Sequence, residues 1–150
     1  MESLLRQWDG ESVVIQYDQP CRSWIIIAIH STLLGPATGG TRMKSYADFD
    51  SAVEDALRLS AGMTLKFAVP NLNHGGGKAV IAVPPNLKLE DRVSLLRRYG
   101  HIIHQLGGLF FTGPDVGTSS DDMDIIDDLR VSLGPPGAIR VGQVIRPRCR

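Results

Sequence analysis

The feature that most constrains the fold is an unbroken apolar run at residues 79–83, which follows Lys78 and is ended by two prolines. A run that is apolar at every position, and not only at alternate ones, is typical of a strand covered on both faces. Two segments whose apolar residues recur with the period of an α-helix lie on either side of this run, at about 48–62 and at 90–106. The residues that recur at three- and four-residue spacing, and so should face inward, are Val53, Ala56, Leu57 and Ser60 in the first and Val93, Leu96, Ile103 and Leu106 in the second. We therefore expect a central strand between layers of helices.

The other segments fit the same architecture. Residues 12–18 and 23–30 are rich in β-branched and aromatic residues on either side of a turn, which predicts an antiparallel hairpin. Residues 109–112 indicate a short buried strand, and serines followed by acids favour a helix over 119–129. Together these elements predict an α/β fold, a three-layer domain with a mixed sheet in which β-α units follow the hairpin.

Length and composition exclude several classes of protein. At 150 residues the chain has the size of one domain, predicted for residues 1–130, with 131–150 as an irregular hinge remnant or tail. Equal numbers of basic and acidic residues, 16 each, argue against a nucleic-acid or membrane partner. The apolar run at 24–29 is too short to cross a bilayer and the N-terminus does not resemble a signal peptide, so we expect a cytoplasmic protein. Cys21 and Cys149 indicate neither a disulfide framework nor a zinc site.

Three glycine-rich segments, at 35–43, 75–78 and 113–117, lie where strands should meet loops. Glycine at such points lets the backbone approach a ligand closely, so the three segments could wall one pocket for a small molecule. The alternative is that they are only tight turns.

Charged residues near these segments are the candidate chemical groups. Lys78 opens the buried strand, where desolvation favours the neutral amine that base or imine chemistry needs, although a surface lysine is the alternative. Lys66 is flanked by apolar residues, so its charge needs a partner or a substrate. Asp115 follows the strand at 109–112, and ligand sites of α/β sheets tend to lie at strand ends. It could instead cap a turn.

Other motifs are absent. Residues 75–78 do not form a phosphate-binding P-loop, because neither its first glycine nor its Ser or Thr is present. No Gly-x-Gly-x-x-Gly lies between a strand and a helix, so the chain has no dinucleotide-binding fingerprint. His101 and His104 share a helix face, but no third metal ligand is in reach. We therefore expect neither a bound metal nor a cofactor held by this domain alone.

Four longer motifs follow one another along the chain. They are Gly-Pro-Ala-Thr-Gly-Gly-Thr-Arg-Met at 35–43, Asp-Ala-Leu-Arg-Leu-Ser-Ala-Gly-Met-Thr-Leu-Lys at 55–66, Gly-Gly-Gly-Lys-Ala-Val-Ile at 75–81 and Asp-Val-Gly-Thr at 115–118. In this order, over about residues 10–130, they resemble the glutamate, leucine, phenylalanine and valine dehydrogenases, and most closely the leucine and phenylalanine branch. The combination is far more specific than any one motif.

The resemblance implies the substrate-binding and oligomerisation domain of an NAD(P)-dependent enzyme that deaminates an L-amino acid to a 2-oxo acid and ammonia. It implies that Lys78 is the base that activates water and that Asp115 exchanges a proton with the substrate amine. The substrate-binding residues that it implies are Gly39, Gly40, Met63 and Lys66, of which Lys66 would bind the carboxylate. Two ammonium groups at one site repel, so one of them can be neutral near pH 7. We expect the family's Rossmann domain to be absent from these 150 residues.

Three positions depart from the family's pattern: Thr38 and His74 stand where apolar residues are usual, and Pro114 stands where an acid is usual. The leading hypothesis is the substrate half of an oxidative deaminase, inactive without a nucleotide-binding domain. One alternative is a non-catalytic oligomerisation or amino-acid-sensing module that retains the fold. Another is an enzyme that uses its lysines for cofactor-free carbonyl chemistry.

Overall fold

The computed structural model describes the backbone of residues 2–133 and the side chains of residues 2–128. In chain order the elements are α1 (Glu2–Trp8), β1 (Ser12–Asp18), β2 (Ser23–Ser31), β3 (Ala37–Lys44), α2 (Phe49–Ala68), β4 (Gly75–Ala82), α3 (Leu89–Gln105), β5 (Phe110–Pro114) and α4 (Ser120–Leu133). Helix α4 thus includes residues 131–133, so the predicted tail begins as helix and not as irregular chain. The rest of the predicted tail, 134–150, lies outside the described residues.

The strands form one sheet in the order β1-β2-β4-β3-β5. Strand β1 pairs antiparallel with β2, as the hairpin prediction requires, and β2 pairs antiparallel with β4. Strand β3 pairs parallel with β4 on one side and with β5 on the other. The apolar run that follows Lys78 therefore lies in the central strand, and the sheet is mixed, as predicted.

Alternate residues of the strands face two different layers of helices. Ile27 of β2 packs in one cluster with Leu96 of α3 and Ile126 of α4, on the side that we call the α3/α4 face. Ile26, its neighbour, packs with Val53 of α2 on the opposite side, the α2 face. Helix α1 also packs on this second side. The predicted three-layer α/β class is confirmed.

Helix α2 is longer than predicted, because it continues from Gly62 to Ala68. All four residues expected to face inward are buried: Val53, Ala56, Leu57 and Ser60. Asp48 caps the first turn by accepting a hydrogen bond from the backbone N–H of Ser51 at 2.7 Å. A side chain at Gly62 would meet nothing within 4 Å. This glycine therefore lies on the exposed side of α2, within the helix and not at its end. The extension carries Lys66 into the last turn.

Strand β3 is not predicted by the sequence, because its glycines and alanine have weak strand propensity. It forms between two parallel neighbours that supply hydrogen bonds on both edges. A Cβ atom at Gly39 would collide with the carbonyl oxygen of Gly77 in β4, so the close approach of the two strands requires glycine there. The segment at 35–43 is therefore mostly strand and not a glycine-rich loop.

Helix α3 occupies the predicted segment with a different buried stripe. Leu96 is buried as expected, and Ile103 and Leu106 pack at the edge of the core, but Val93 is only partly buried. Tyr99 takes a central place, fully buried, with its hydroxyl 2.6 Å from Oγ1 of Thr41. The periodic pattern was drawn from aliphatic residues alone and therefore did not include this tyrosine.

Candidate active site

Lys78 lies on the central strand with its side chain on the α2 face, the side that Val80 also faces. Its exposed fraction is 5%, so the predicted burial is correct. A buried ammonium group is costly unless it is paired. Asp115 supplies the pairing, because Nζ of Lys78 lies 2.9 Å from Oδ2 of the carboxylate.

Asp115 comes directly after β5, at the carboxyl end of that strand. Its backbone N–H donates to Oγ1 of Thr118 at 2.9 Å, and the Thr118 hydroxyl lies 2.7 Å from the carbonyl oxygen of Thr41 on β3. These contacts fix the backbone of the turn while the Asp115 side chain points to Lys78. The predicted alternative, in which this side chain caps the turn, is therefore wrong.

Arg42 extends the ion pair across β3 to α2. Its Nε donates to Oδ2 of Asp115 at 2.9 Å, and its Nη1 donates to Oδ2 of Asp55 at 3.0 Å. Asp55 also accepts from the hydroxyl of Tyr46 and from Nη2 of Arg58, each at 2.8 Å. Charges of alternating sign therefore run from the central strand to the helix that covers this face.

The electrostatic environment keeps both carboxylates ionised. Burial acts to raise the pKa of Asp115, but the hydrogen bonds and charges of Lys78 and Arg42 outweigh burial and hold that pKa below its ordinary value. Burial likewise opposes ionisation of Asp55, and its tyrosine and arginine partners lower its pKa. Burial and the hydrogen bond to Asp55 raise the pKa of Tyr46, which therefore stays a neutral donor. At neutral pH Asp115 is an acceptor of hydrogen bonds only.

Gly40 makes room for the ion pair. A Cβ atom at this position would lie 2.8 Å from Cβ of Asp115 and 3.2 Å from Nζ of Lys78. A contact of 2.8 Å is closer than side chains tolerate, so any larger residue would displace one of the two charged groups. The sequence predicted that the glycine-rich segments at 35–43 and 113–117 lie near Lys78. Gly40 of the first segment and Asp115 of the second do lie beside it.

Other glycines are explained by packing inside the protein. A Cβ atom at Gly76 would collide with the backbone of Thr64 in α2, and one at Gly77 would lie 2.9 Å from the ring of Phe110 on the α3/α4 face. Gly39 approaches the carbonyl of Gly77, as described above. These glycines are therefore required for close contact between strands and helix, and the ligand-binding role of Gly39 stays a prediction.

Lys66 is exposed in the last turn of α2, and no carboxylate among residues 2–128 pairs with it. Residues eleven apart in an α-helix return to nearly the same side, so Lys66 lies on the flank that carries Asp55, roughly 16 Å further along. Met63, partly buried, lies one turn before Lys66. The structure thus joins Lys78 to Asp115 directly and places Lys66 and Met63 on the covering helix, without contact between Lys66 and either charged partner.

Sequence analysis missed Arg42, Asp55 and Tyr46. A signal for Arg42 was available, because it lies two positions after Gly40 and would share its face in a strand. Recognition of that signal required β3 to be predicted. Asp55 lies outside the apolar stripe of α2, which indicates a solvated charge when no partner is known.

The described residues do not fit a nicotinamide dinucleotide. Such a cofactor needs glycines that free the N-terminus of a helix for its phosphates. Here the glycines at 75–77 lie inside strand β4, and atoms of the protein occupy the space beside each of them. Two prolines, and not a glycine-rich turn, follow β4 before α3 begins. Over the same part of the chain, no group of three or more His, Cys, Asp or Glu could hold a metal ion. No helix within 2–133 has the length and apolar character needed to cross a membrane.

A family model described as "Glu/Leu/Phe/Val dehydrogenase, dimerisation domain" matches residues 19–130. The chain belongs to this dehydrogenase family. Leucine dehydrogenase of Bacillus subtilis is 46% identical over 124 residues, which cover 83% of this chain and 34% of the relative. Phenylalanine dehydrogenase of Lysinibacillus sphaericus is 47% identical over 112 residues, which cover 75% of this chain and 29% of the relative. The chain therefore spans about a third of the length of the relatives that it matches.

Solved structures agree with the family assignment. L-tryptophan dehydrogenase from Nostoc punctiforme has a TM-score of 0.78 at 42% identity, over 85% of this chain and 37% of that one. A hetero-hexameric glutamate dehydrogenase from Thermus thermophilus has a TM-score of 0.68 at 25% identity, over 90% of this chain and 34% of that one. The family and the fold class that the motifs predicted are both confirmed.

Proposed function

We propose that this member of the dehydrogenase family is the substrate-binding half of an NAD(P)-dependent L-amino acid dehydrogenase, which converts an amino acid to a 2-oxo acid and ammonia. One observation carries the proposal: an almost fully buried lysine, Lys78, pairs with Asp115 at 2.9 Å beside Gly40. The pair lies at the carboxyl end of β5, where ligand sites of α/β sheets tend to lie, and Asp115 has a shifted pKa of the kind that is frequent at functional sites.

Asp115 is suited to handle the amino group. The partners that lower its pKa keep it ionised at neutral pH, so it can accept hydrogen bonds from an ammonium group and take one of its protons. Lys78, after its ammonium proton has passed to solvent, would take a proton from water while the hydroxyl adds to the imine carbon. Asp115 would then return its proton to the nitrogen, and ammonia would leave as the hydroxyl proton of the adduct passes to the same carboxylate, which gives the 2-oxo group. The predicted catalytic roles would thus fall to two groups that are in direct contact.

Lys66 and the glycines would hold the substrate. Lys66 has no carboxylate partner within the described range, so its ammonium group is available for the carboxylate of an amino acid. Met63, on the same helix, would line the pocket, and Gly39 and Gly40 would present backbone beside the ion pair. Helix α2 would then form one wall of the site and strands β3 to β5 the other.

The hydride acceptor that the resemblance implies is NAD(P), and the described residues do not fit it. We therefore propose that the substrate site is completed by a nucleotide-binding part outside these residues. The chain is also expected to self-associate, because the family model that it matches is a dimerisation domain. Ile15 and Tyr17 of the edge strand β1 are each 40% exposed and are suited to such an interface.

Calorimetric titration of the 150-residue chain tests the substrate site. L-leucine, L-phenylalanine and L-tryptophan, together with the corresponding 2-oxo acids, would be added to wild type, Lys66→Ala and Lys78→Met. We expect at least one ligand to bind, with an affinity about tenfold or more lower in Lys66→Ala, which loses the contact with the ligand carboxylate, and in Lys78→Met, which loses a cation that holds Asp115. Lys88→Met, which removes an exposed lysine before α3, is the matched control and should bind like wild type.

Equal affinity in wild type and both site variants would contradict the proposed binding residues. Binding by none of them would favour a purely structural module. The same chain mixed with NAD and these amino acids should form no NADH. Steady NADH formation would show that these 150 residues hold the nucleotide after all.

A further inference from the structure

The carboxylate of Asp115 is held by one oxygen only. Nζ of Lys78 and Nε of Arg42 both lie 2.9 Å from Oδ2. Within the described residues Oδ1 accepts no hydrogen bond, and no fully buried side-chain oxygen in that range lacks a partner. Oδ1 therefore reaches solvent, in agreement with a side chain that is 24% exposed.

Arg42 is itself held at its far end. Its Nη1 donates to Asp55 on α2, and that carboxylate is fixed in turn by Tyr46 and Arg58. The side chains of Arg42 and Asp55 are only 18% and 13% exposed, so solvent competes weakly for these contacts. The guanidinium group of Arg42 thus links Asp115, directly after β5, to Asp55 of α2 and has little freedom to rotate.

We propose that Arg42 is a positioning residue that fixes Oδ2 of Asp115 against Lys78 and so leaves Oδ1 to receive the ammonium group of the substrate. This inference rests on the proposed function. It assigns the two oxygens of one carboxylate to different partners: Oδ2 to the protein and Oδ1 to the ligand. Lys78 alone would not achieve this, because a carboxylate held by a single contact can rotate and exchange its oxygens.

The charge of Arg42 supports the same assignment. It is one of the two cations that keep the pKa of Asp115 below its ordinary value. Without it, Asp115 would hold its proton to higher pH and would be a weaker acceptor for an ammonium group. Position and protonation of Asp115 therefore both depend on an arginine that needs no contact with the substrate.

The test measures Asp115 directly in the 150-residue chain. Carbon NMR of aspartate labelled at the carboxyl group, with Asp115→Asn for assignment, gives the pH midpoint of this residue without any ligand. In Arg42→Gln the midpoint should move upward, and in Arg42→Lys it should move less, because one ammonium group replaces the charge but cannot span both carboxylates. Arg58→Gln is the matched control: it removes a cation from Asp55 and leaves both contacts of Asp115 in place. Asp18, bound to Arg98 on the opposite face, is the internal reference for intact folding.

Calorimetry with L-leucine, L-phenylalanine and L-tryptophan completes the test. The affinity of whichever ligand binds wild type should fall about tenfold in Arg42→Gln, partly recover in Arg42→Lys and stay unchanged in Arg58→Gln. An unmoved Asp115 midpoint or an unchanged affinity in Arg42→Gln would overturn the inference and leave the proposed function standing. An absence of binding in wild type would instead overturn the proposed function, while the NMR midpoints still decide whether Arg42 positions Asp115. If Arg42→Gln does not fold, the comparison of Arg42→Lys with wild type carries both measurements.

Discussion

The two faces of the sheet are built from the same strands and differ in what they bury. Among the side chains of residues 2–128, fourteen buried residues form one apolar cluster on the α3/α4 face, whereas the cluster on the α2 face has seven. On the α2 face, alternate positions carry Gly40 and Arg42 of β3 and Lys78 of β4. The difference teaches that one helix layer supplies most of the apolar core, so the other face has room for a chain of linked charges from Lys78 through Asp115 to Arg42.

The largest effect on stability is expected on the α3/α4 face. Leu96 is fully buried there, and Leu96→Ala would leave a cavity that lowers the free energy of unfolding by about 3 kcal/mol. Urea denaturation of wild type and variant measures the loss. The ligand affinity of the folded fraction should not change, because Leu96 packs on the face of the sheet opposite Lys78. A loss below about 1 kcal/mol would show that this face is not the main core.

A smaller loss is expected for the ion pair on the same face. Asp18 is 3% exposed and accepts two hydrogen bonds from Arg98 of α3, and Asp18→Asn should cost about 2 kcal/mol. Burial acts to raise the pKa of Asp18, but the hydrogen bond and charge of Arg98 and the backbone N–H of Cys21 lower it. The stabilisation is therefore complete above the unfolded pKa of about 3.9 and is lost as the pH falls through the lower folded pKa.

Urea unfolding at a series of pH values separates this contribution from the others. The difference in stability between wild type and Asp18→Asn should shrink as the pH falls below about 4. A difference that stays constant across this range would mean that the Asp18 carboxylate gains nothing from Arg98.

A third, weaker effect concerns the polar contact inside the α3/α4 face. The hydroxyl of Tyr99 lies 2.6 Å from Oγ1 of Thr41, which also lies 2.6 Å from Oγ1 of Thr112. Tyr99→Phe keeps the ring and removes one hydrogen bond, so thermal or urea unfolding should show a loss of about 1 kcal/mol. Thr41 keeps Thr112 as a partner, which limits the cost. A loss as large as that of Leu96→Ala would indicate that the three hydroxyls act as one unit.

The same contrast explains what the sequence could predict. The central strand, the hairpin and the inward residues of α2 follow from apolar patterns, and those patterns report the core. That Lys78 and Asp115 lie at one site was expected from the family motifs and not from periodicity, and their direct ion pair was not predicted. Strand β3 and the residues Arg42 and Asp55 were missed because the α2 face is built from glycine and charge, which indicate loops and solvated surfaces when read alone. Tertiary pairing with β4 and β5, which no local pattern contains, decides their place.

The smallest effect on stability is expected at a proposed catalytic residue. Lys78→Met replaces a buried ammonium group with an apolar side chain of similar length, and Asp115 keeps Arg42 as a charged partner. The lost ion pair is therefore offset by the desolvation that the lysine no longer requires, and the free energy of unfolding should stay within about 1 kcal/mol of wild type. Arg42→Gln in the Lys78→Met background would leave Asp115 without a cation and should cost more than either change alone. If Lys78→Met by itself lowers the free energy of unfolding as much as Leu96→Ala, then Lys78 is needed for stability. The two faces would then not differ in how much they stabilise the fold.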